Sequence, residues 1–129
     1  MRRLQRWLPA LLVAFAALAA GCRGASTALT TYAVATGGDP DRGEAVIRQV
    51  GCGSCHTIPG VRGAAGVVGP PLNFFARRTY IAGEVPASAD NLVRWLRNPN
   101  QIEPGTAMPN LGLTERQARD VAAYLYTLQ

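Results

Sequence analysis

The stretch Gly51-Cys52-Gly53-Ser54-Cys55-His56-Thr57 decides how this chain is read. Two thiols with two residues between them and a His directly after the second form the attachment sequence of a c-type haem. Each thiol can add across a haem vinyl group, the two-residue gap suits the separation of the vinyls, and the adjacent His falls beneath the iron. Three other readings carry less weight. A zinc site wants four ligands, and the whole chain holds three Cys and one His, with one of the Cys, Cys22, in the signal region. A thioredoxin-like redox pair wants an alternation of strands and helices that the flanking sequence lacks. A structural disulfide between Cys52 and Cys55 leaves His56 a coincidence.

A second iron ligand follows by elimination. His56 is the only His, so ligation by two His within one chain is excluded. Met108 is the only Met beyond the initiator, and it sits between a Pro104-Gly105 turn and Pro109. An isolated Met is more often filler in a core. Its place in an irregular stretch with no apolar periodicity favours the ligand role once haem is accepted. The predicted metal ligands are therefore His56 and Met108.

Outward from the attachment segment, the chain reads as helices separated by loops. Asp41 and Glu44 are spaced as an N-cap and its capping-box partner, and Val46, Ile47 and Val50 share a face, which predicts a helix over about 41–51. Gly43 inside it suggests close approach by another element, or simple tolerance near a helix start. Residues 57–71 are rich in Gly and Pro and read as a loop. A short helix is expected over about 72–78. A clearer one is expected over 88–98, with Leu92, Trp95 and Leu96 on one face and Pro99 stopping it. Residues 99–113 read as a second loop. Thr114 and Gln117 form a capping box for a last helix in which Ala118, Val121, Leu125 and Leu128 repeat at helical spacing. No strand pattern competes. The predicted fold is all-α, about four helices with long loops wrapped around one covalently bound haem.

The N-terminus reads as an export signal. Arg2, Arg3 and Arg6 precede an apolar run over residues 7–20, shorter than the roughly 17–25 residues of a membrane-spanning helix. Ala19, Ala20 and Gly21 then lead to Cys22, a site that resembles the cleavage site of bacterial lipoproteins, with Ala19 where Leu is usual. Lipidation of Cys22 is the expectation, and ordinary cleavage leaving a free thiol is the alternative. The expected organisation is a lipoprotein-type signal peptide at 1–21, a flexible tether rich in Ala, Thr and Gly at 22–38, and a folded domain at 39–129. That places the protein on the extracytoplasmic, periplasmic side of a bacterial inner membrane, held by a lipid anchor.

Composition narrows the function further. The 129 residues allow one domain. Formal charge is +5, falling to +2 without the three leading Arg. All thirteen basic residues are Arg, with no long basic run and no basic patch interleaved with aromatics, so nucleic-acid binding has no support.

From residue 39 to 129 the chain resembles class I cytochromes c, most of all the cytochrome c domain of bacterial haem-copper oxidase subunit II. The resemblance rests on residues 51–57, on Gly69-Pro70-Pro71-Leu72, on Leu92-Val93-Arg94-Trp95-Leu96-Arg97-Asn98-Pro99, on Pro104-Gly105-Thr106-Ala107-Met108-Pro109 and on Val121-Ala122-Ala123-Tyr124-Leu125. With a single His, this chain does not also supply that subunit's copper ligands. The resemblance implies that the Pro70 carbonyl accepts a hydrogen bond from the proximal His, that Leu72 and Leu96 pack on the haem, and that Arg78 lies near a propionate, a part that Arg77 could also play. It further implies that Trp95 lies close to the Met and that Gly43 and Tyr124 mark the crossing of the first and last helices. The chain has no clear match to the Trp that contacts the other propionate in mitochondrial relatives.

The expected function is single-electron transfer between extracytoplasmic respiratory partners, towards a terminal oxidase, by an electron carrier and not an enzyme. Electrons are expected to pass at the haem edge near Cys52 and Cys55, where apolar surface and Arg62 would meet an acidic partner. Two alternatives stay open: a haem subunit fixed in a dehydrogenase or reductase complex, and a peroxidase or gas-binding haem protein in which Met108 detaches. A monomer or a subunit of a complex fits either the carrier or the fixed reading.

Overall fold

The computed structural model describes residues 35–129. The predicted signal peptide, Cys22 and the tether up to residue 34 lie outside the described residues.

Helix α1 spans Pro40–Gln49. Its N-cap is Asp39, whose side chain accepts from Arg42 N at 2.9 Å, and Pro40 occupies the first helical position, where a missing N–H costs nothing. The expected Asp41–Glu44 capping box therefore does not form, and Asp41 sits in the first turn opposite the helix dipole. Gly51 then turns into the left-handed region at φ 78° and leads into a 3-10 turn, Cys52–Ser54.

The helix expected over 72–78 is only a 3-10 turn, Phe75–Arg77, because Phe74 adopts a left-handed conformation at φ 55°. It is followed by a two-stranded antiparallel ladder, β1 Tyr80–Ile81 and β2 Val85–Pro86, with Ile81 paired to Val85. Sequence reading foresaw no strand, since two residues are too short to show alternation. Helix α2 spans Ala89–Arg97 with Ser88 as N-cap, as expected within a residue. Pro99 stops it and also opens a one-turn helix, α3 Pro99–Ile102, inside the stretch read as loop. Helix α4 spans Glu115–Thr127, and its predicted capping box is present in both directions.

The helices pack through α4, which crosses α1 and lies against α2. Ile47, Leu92, Ala118, Val121, Ala122 and Leu125 form the centre of the core, none more than 3% exposed. At the crossing, a Cβ on Gly43 would overlap the carbonyl of Asp120 and stand 3.0 Å from Tyr124 Cβ. Close approach is thus the reason for this glycine, and the Gly43–Tyr124 crossing is present.

Packing begins ahead of residue 39. Thr36 is fully buried, Arg119 Nη1 donates to its carbonyl at 3.0 Å, and Gly38 lies against the backbone of Arg119. Residues 36–38, which the sequence assigned to the tether, are part of the folded unit because α4 reaches back to hold them.

Candidate functional site

The attachment segment occupies the 3-10 turn that follows α1. Ser54 N donates to Gly51 O at 3.0 Å and His56 N to Cys52 O at 3.0 Å, which winds the segment into one tight turn. Cys52 and Cys55 are half-buried free thiols. Burial, the main influence, together with the nearby Cys55 pushes the Cys52 thiol up against the opposing effect of its backbone hydrogen bond, so it stays neutral. The disulfide reading is not realised, and among the described residues no three of His, Cys, Asp or Glu converge as a metal site of the zinc type would need.

His56 is held by its backbone neighbours. Its Nδ1 lies 2.8 Å from Pro70 O, and since a carbonyl only accepts, Nδ1 carries the proton and donates. Nε2 is then left with its lone pair, the form needed to bind a metal. The chain reaches Pro70 by passing flat across the ring at Gly69, where any Cβ would overlap the imidazole. The 66–69 stretch is tied to the attachment turn by Gly66 N donating to Gly53 O at 3.0 Å and Gly69 N to Cys55 O at 2.8 Å.

The residues given roles by resemblance fall as follows. Leu72, Trp95 and Met108 are half-buried and pack against the edge of the core cluster, as Cys52 does. Leu96 is buried within it. Met108 N donates to Thr106 Oγ1 at 3.3 Å, which fixes the loop just ahead of the side chain. Arg78 is half-buried, donates to the Pro71 carbonyl and stacks 5.0 Å over the Phe75 ring, while burial lowers its guanidinium from the ordinary value. Arg77 is exposed and stacks on Phe74 at 5.2 Å, so of the two Arg it is Arg78 that lies beside the Pro70-Pro71 segment. Arg62 is exposed.

This set fits a haem. Two free thiols supply the attachment chemistry of a c-type haem, and an imidazole with one nitrogen oriented by a carbonyl and the other carrying its lone pair, with a soft thioether at Met108, supplies the two donors its iron would take. The glycine at position 69 leaves the ring space that a side chain would fill.

Several supporting contacts escaped sequence reading. Asp120, 3% exposed, accepts from Asp39 N at 2.8 Å and from Arg42 Nε and Nη2 at 3.0 and 2.9 Å, clamping α4 to the start of α1. Tyr124 donates its hydroxyl to Pro59 O at 2.6 Å and anchors the loop behind His56. The one available signal was an acid amid the apolar positions of α4, which asks for a cation partner.

The sequence model of the cytochrome c family matches residues 40–129. Cytochrome c oxidase subunit 2 of Alkalihalophilus pseudofirmus is 31% identical over 90 residues, covering 69% of this chain and 25% of that protein. The protein of the same name from Bacillus subtilis is 34% identical over 83 residues, 60% of this chain and 23% of its own length. That of Bacillus sp. strain PS3 is 35% identical over 91 residues, 67% and 25% respectively. The chain thus spans about a quarter of the length of these curated relatives.

Proposed function

The chain belongs to the cytochrome c family, and from that membership we propose that it carries single electrons between extracytoplasmic respiratory partners, towards a terminal oxidase. The family fold with its covalently bound haem c makes it a haem electron-transfer protein. Bound, that group supplies an iron that cycles between ferrous and ferric states.

The chain's own residues set the conditions. Cys52 and Cys55 hold the haem through thioether bonds, so the cofactor is not lost outside the cytoplasm. His56 offers Nε2 as the proximal ligand, and Pro70 fixes its ring and raises its donor strength through the Nδ1–H hydrogen bond. Met108 provides the second ligand, whose soft sulfur favours the reduced state and a higher potential. Leu72, Leu96 and Trp95 keep water away, and Arg78 compensates a propionate charge. Were His56 and Met108 both to ligate the iron, no position would stay open for substrate, which favours a carrier over an enzyme. A lipid on Cys22 would keep it at the membrane on the periplasmic side.

The observation that carries this reading is the 2.8 Å contact between His56 Nδ1 and Pro70 O. A second reading, a haem subunit fixed within a respiratory complex, is favoured by the relatives, whose matching segment is one part of a longer subunit. Purification in mild detergent separates the two: a free monomer that restores oxygen uptake to depleted host membranes supports the carrier, and a stoichiometric companion protein supports the fixed subunit.

A further inference from the structure

We propose that Val67 and Val68 form the surface through which this protein exchanges electrons, and that this surface fits an uncharged, apolar face on the redox partner. The proposal rests on the reading of Cys52, Cys55 and His56 as the haem-binding segment. The two valines are 88% and 78% exposed, above Phe74 at 52% and Tyr80 at 57%, the other exposed large hydrophobic residues among the described residues. They are not on a loose loop. Hydrogen bonds from Gly66 N to Gly53 O, from Gly69 N to Cys55 O and from Thr57 Oγ1 to Gly66 O hold both ends of the 66–69 stretch beside the two Cys. An adjacent pair of apolar side chains presented on a fixed backbone is a mark of an interaction site.

Charge decides what kind of partner it fits. Over residues 51–76 the only formally charged side chain, apart from the ligand His56, is Arg62. The next two, Arg77 and Arg78, are stacked on Phe74 and Phe75. An acidic face docked on Val67 and Val68 would lose hydration and find no counter-charge in this stretch beyond Arg62. An uncharged apolar face loses nothing on burial and gains the area of both valines. This narrows the expectation of an acidic partner: Arg62 is exposed and is the one charge in the stretch, and a single charge steers weakly.

Electron self-exchange tests the surface with a second copy of the holoprotein as the probe, read from NMR line broadening in mixtures of oxidised and reduced protein. The wild-type rate is expected to change less than about twofold between about 20 and 200 mM salt. Val67→Asn/Val68→Asn, which removes apolar area without adding charge, is expected to slow exchange about tenfold with midpoint potential and visible spectrum unchanged. A steep salt dependence of the wild type, or an unchanged rate in the double variant, overturns the proposal. So does slowing accompanied by a shifted potential and spectrum, which would make the valines part of the haem pocket wall. Host membranes tell the two readings apart: wild-type protein that exchanges with itself as expected but drives no oxygen uptake refutes delivery to an oxidase and leaves the surface standing. Protein that carries no haem refutes both.

Discussion

Gly69 lies against the imidazole of His56 so closely that a Cβ on it would stand 2.7 Å from Nδ1 and 2.9 Å from Nε2. The ring cannot swing away without losing its hydrogen bond to Pro70 O at 2.8 Å. Gly69→Ala therefore either displaces the ring or breaks the bond that orients it, an overpacking of about 1–3 kcal/mol. The expected outcome is a lower yield of covalently bound haem and an altered visible spectrum in what remains. Wild-type yield and spectrum in this variant would mean that the ring is not fixed by its passage under the chain.

Met108 is the only Met among the described residues and, like Leu72 and Trp95, is half-buried against the core cluster. Met108→Ala is expected to abolish the weak sulfur-to-iron absorption band of the oxidised protein and to open the reduced iron to carbon monoxide. Persistence of that band would falsify the ligand assignment.

Asp120 gives the fold a definite response to acid. Burial, the largest influence, pushes its carboxyl up, but hydrogen bonds from Arg42 and Asp39 N and the charges of Arg42 and Arg116 outweigh it and hold the carboxyl below its ordinary value. A carboxyl depressed in the fold contributes stability that is present above the unfolded value, about 3.9, and is lost as pH falls through the folded value. Asp120→Asn is expected to cost about 1–3 kcal/mol at pH 7, since it weakens charge-assisted bonds to a half-exposed Arg. Denaturant melts should show the gap to wild type closing below about pH 4. A gap of equal size at pH 3 and pH 7 would contradict the assignment of the effect to the ionised carboxylate.

The crossing of α1 and α4 depends on Gly43. A methyl group there would overlap the Asp120 carbonyl and must push the helices apart. Gly43→Ala is expected to destabilise the fold by about 1–3 kcal/mol, read as a lower denaturation midpoint, although Ala is the better helix former by roughly 1 kcal/mol. A stabilised variant would show that the crossing is loose.

What the sequence made legible was local. The α4 capping box of Thr114 and Gln117 and the Ser88 cap of α2 are each written in residues a few positions apart, and both form. At α1 the same logic chose Asp41 over Asp39, because Asp41–Glu44 has capping-box spacing. Pro40 decides otherwise, being suited to the first helical position with the cap directly before it. Pro99 was read as a stop alone, whereas a proline that ends one helix can also begin the next. The clamp of Asp120 on Arg42, and the return of Arg119 to Thr36, join residues distant along the chain, and no local pattern announces them. At the site, the attachment segment was legible from five adjacent residues. That Arg78 and not Arg77 lies by the Pro70-Pro71 segment became visible only when the left-handed turn at Phe74 had set which way each side chain points.

The measurement that bears most directly on the whole account is the haem content of the protein exported from a host with working haem-attachment machinery, taken after acid-acetone extraction has removed any haem that is not covalently held. The account predicts a red protein with one haem per chain, and no retained haem in Cys52→Ala/Cys55→Ala. Colourless wild-type protein, or haem that washes out of it, would contradict the account at its root.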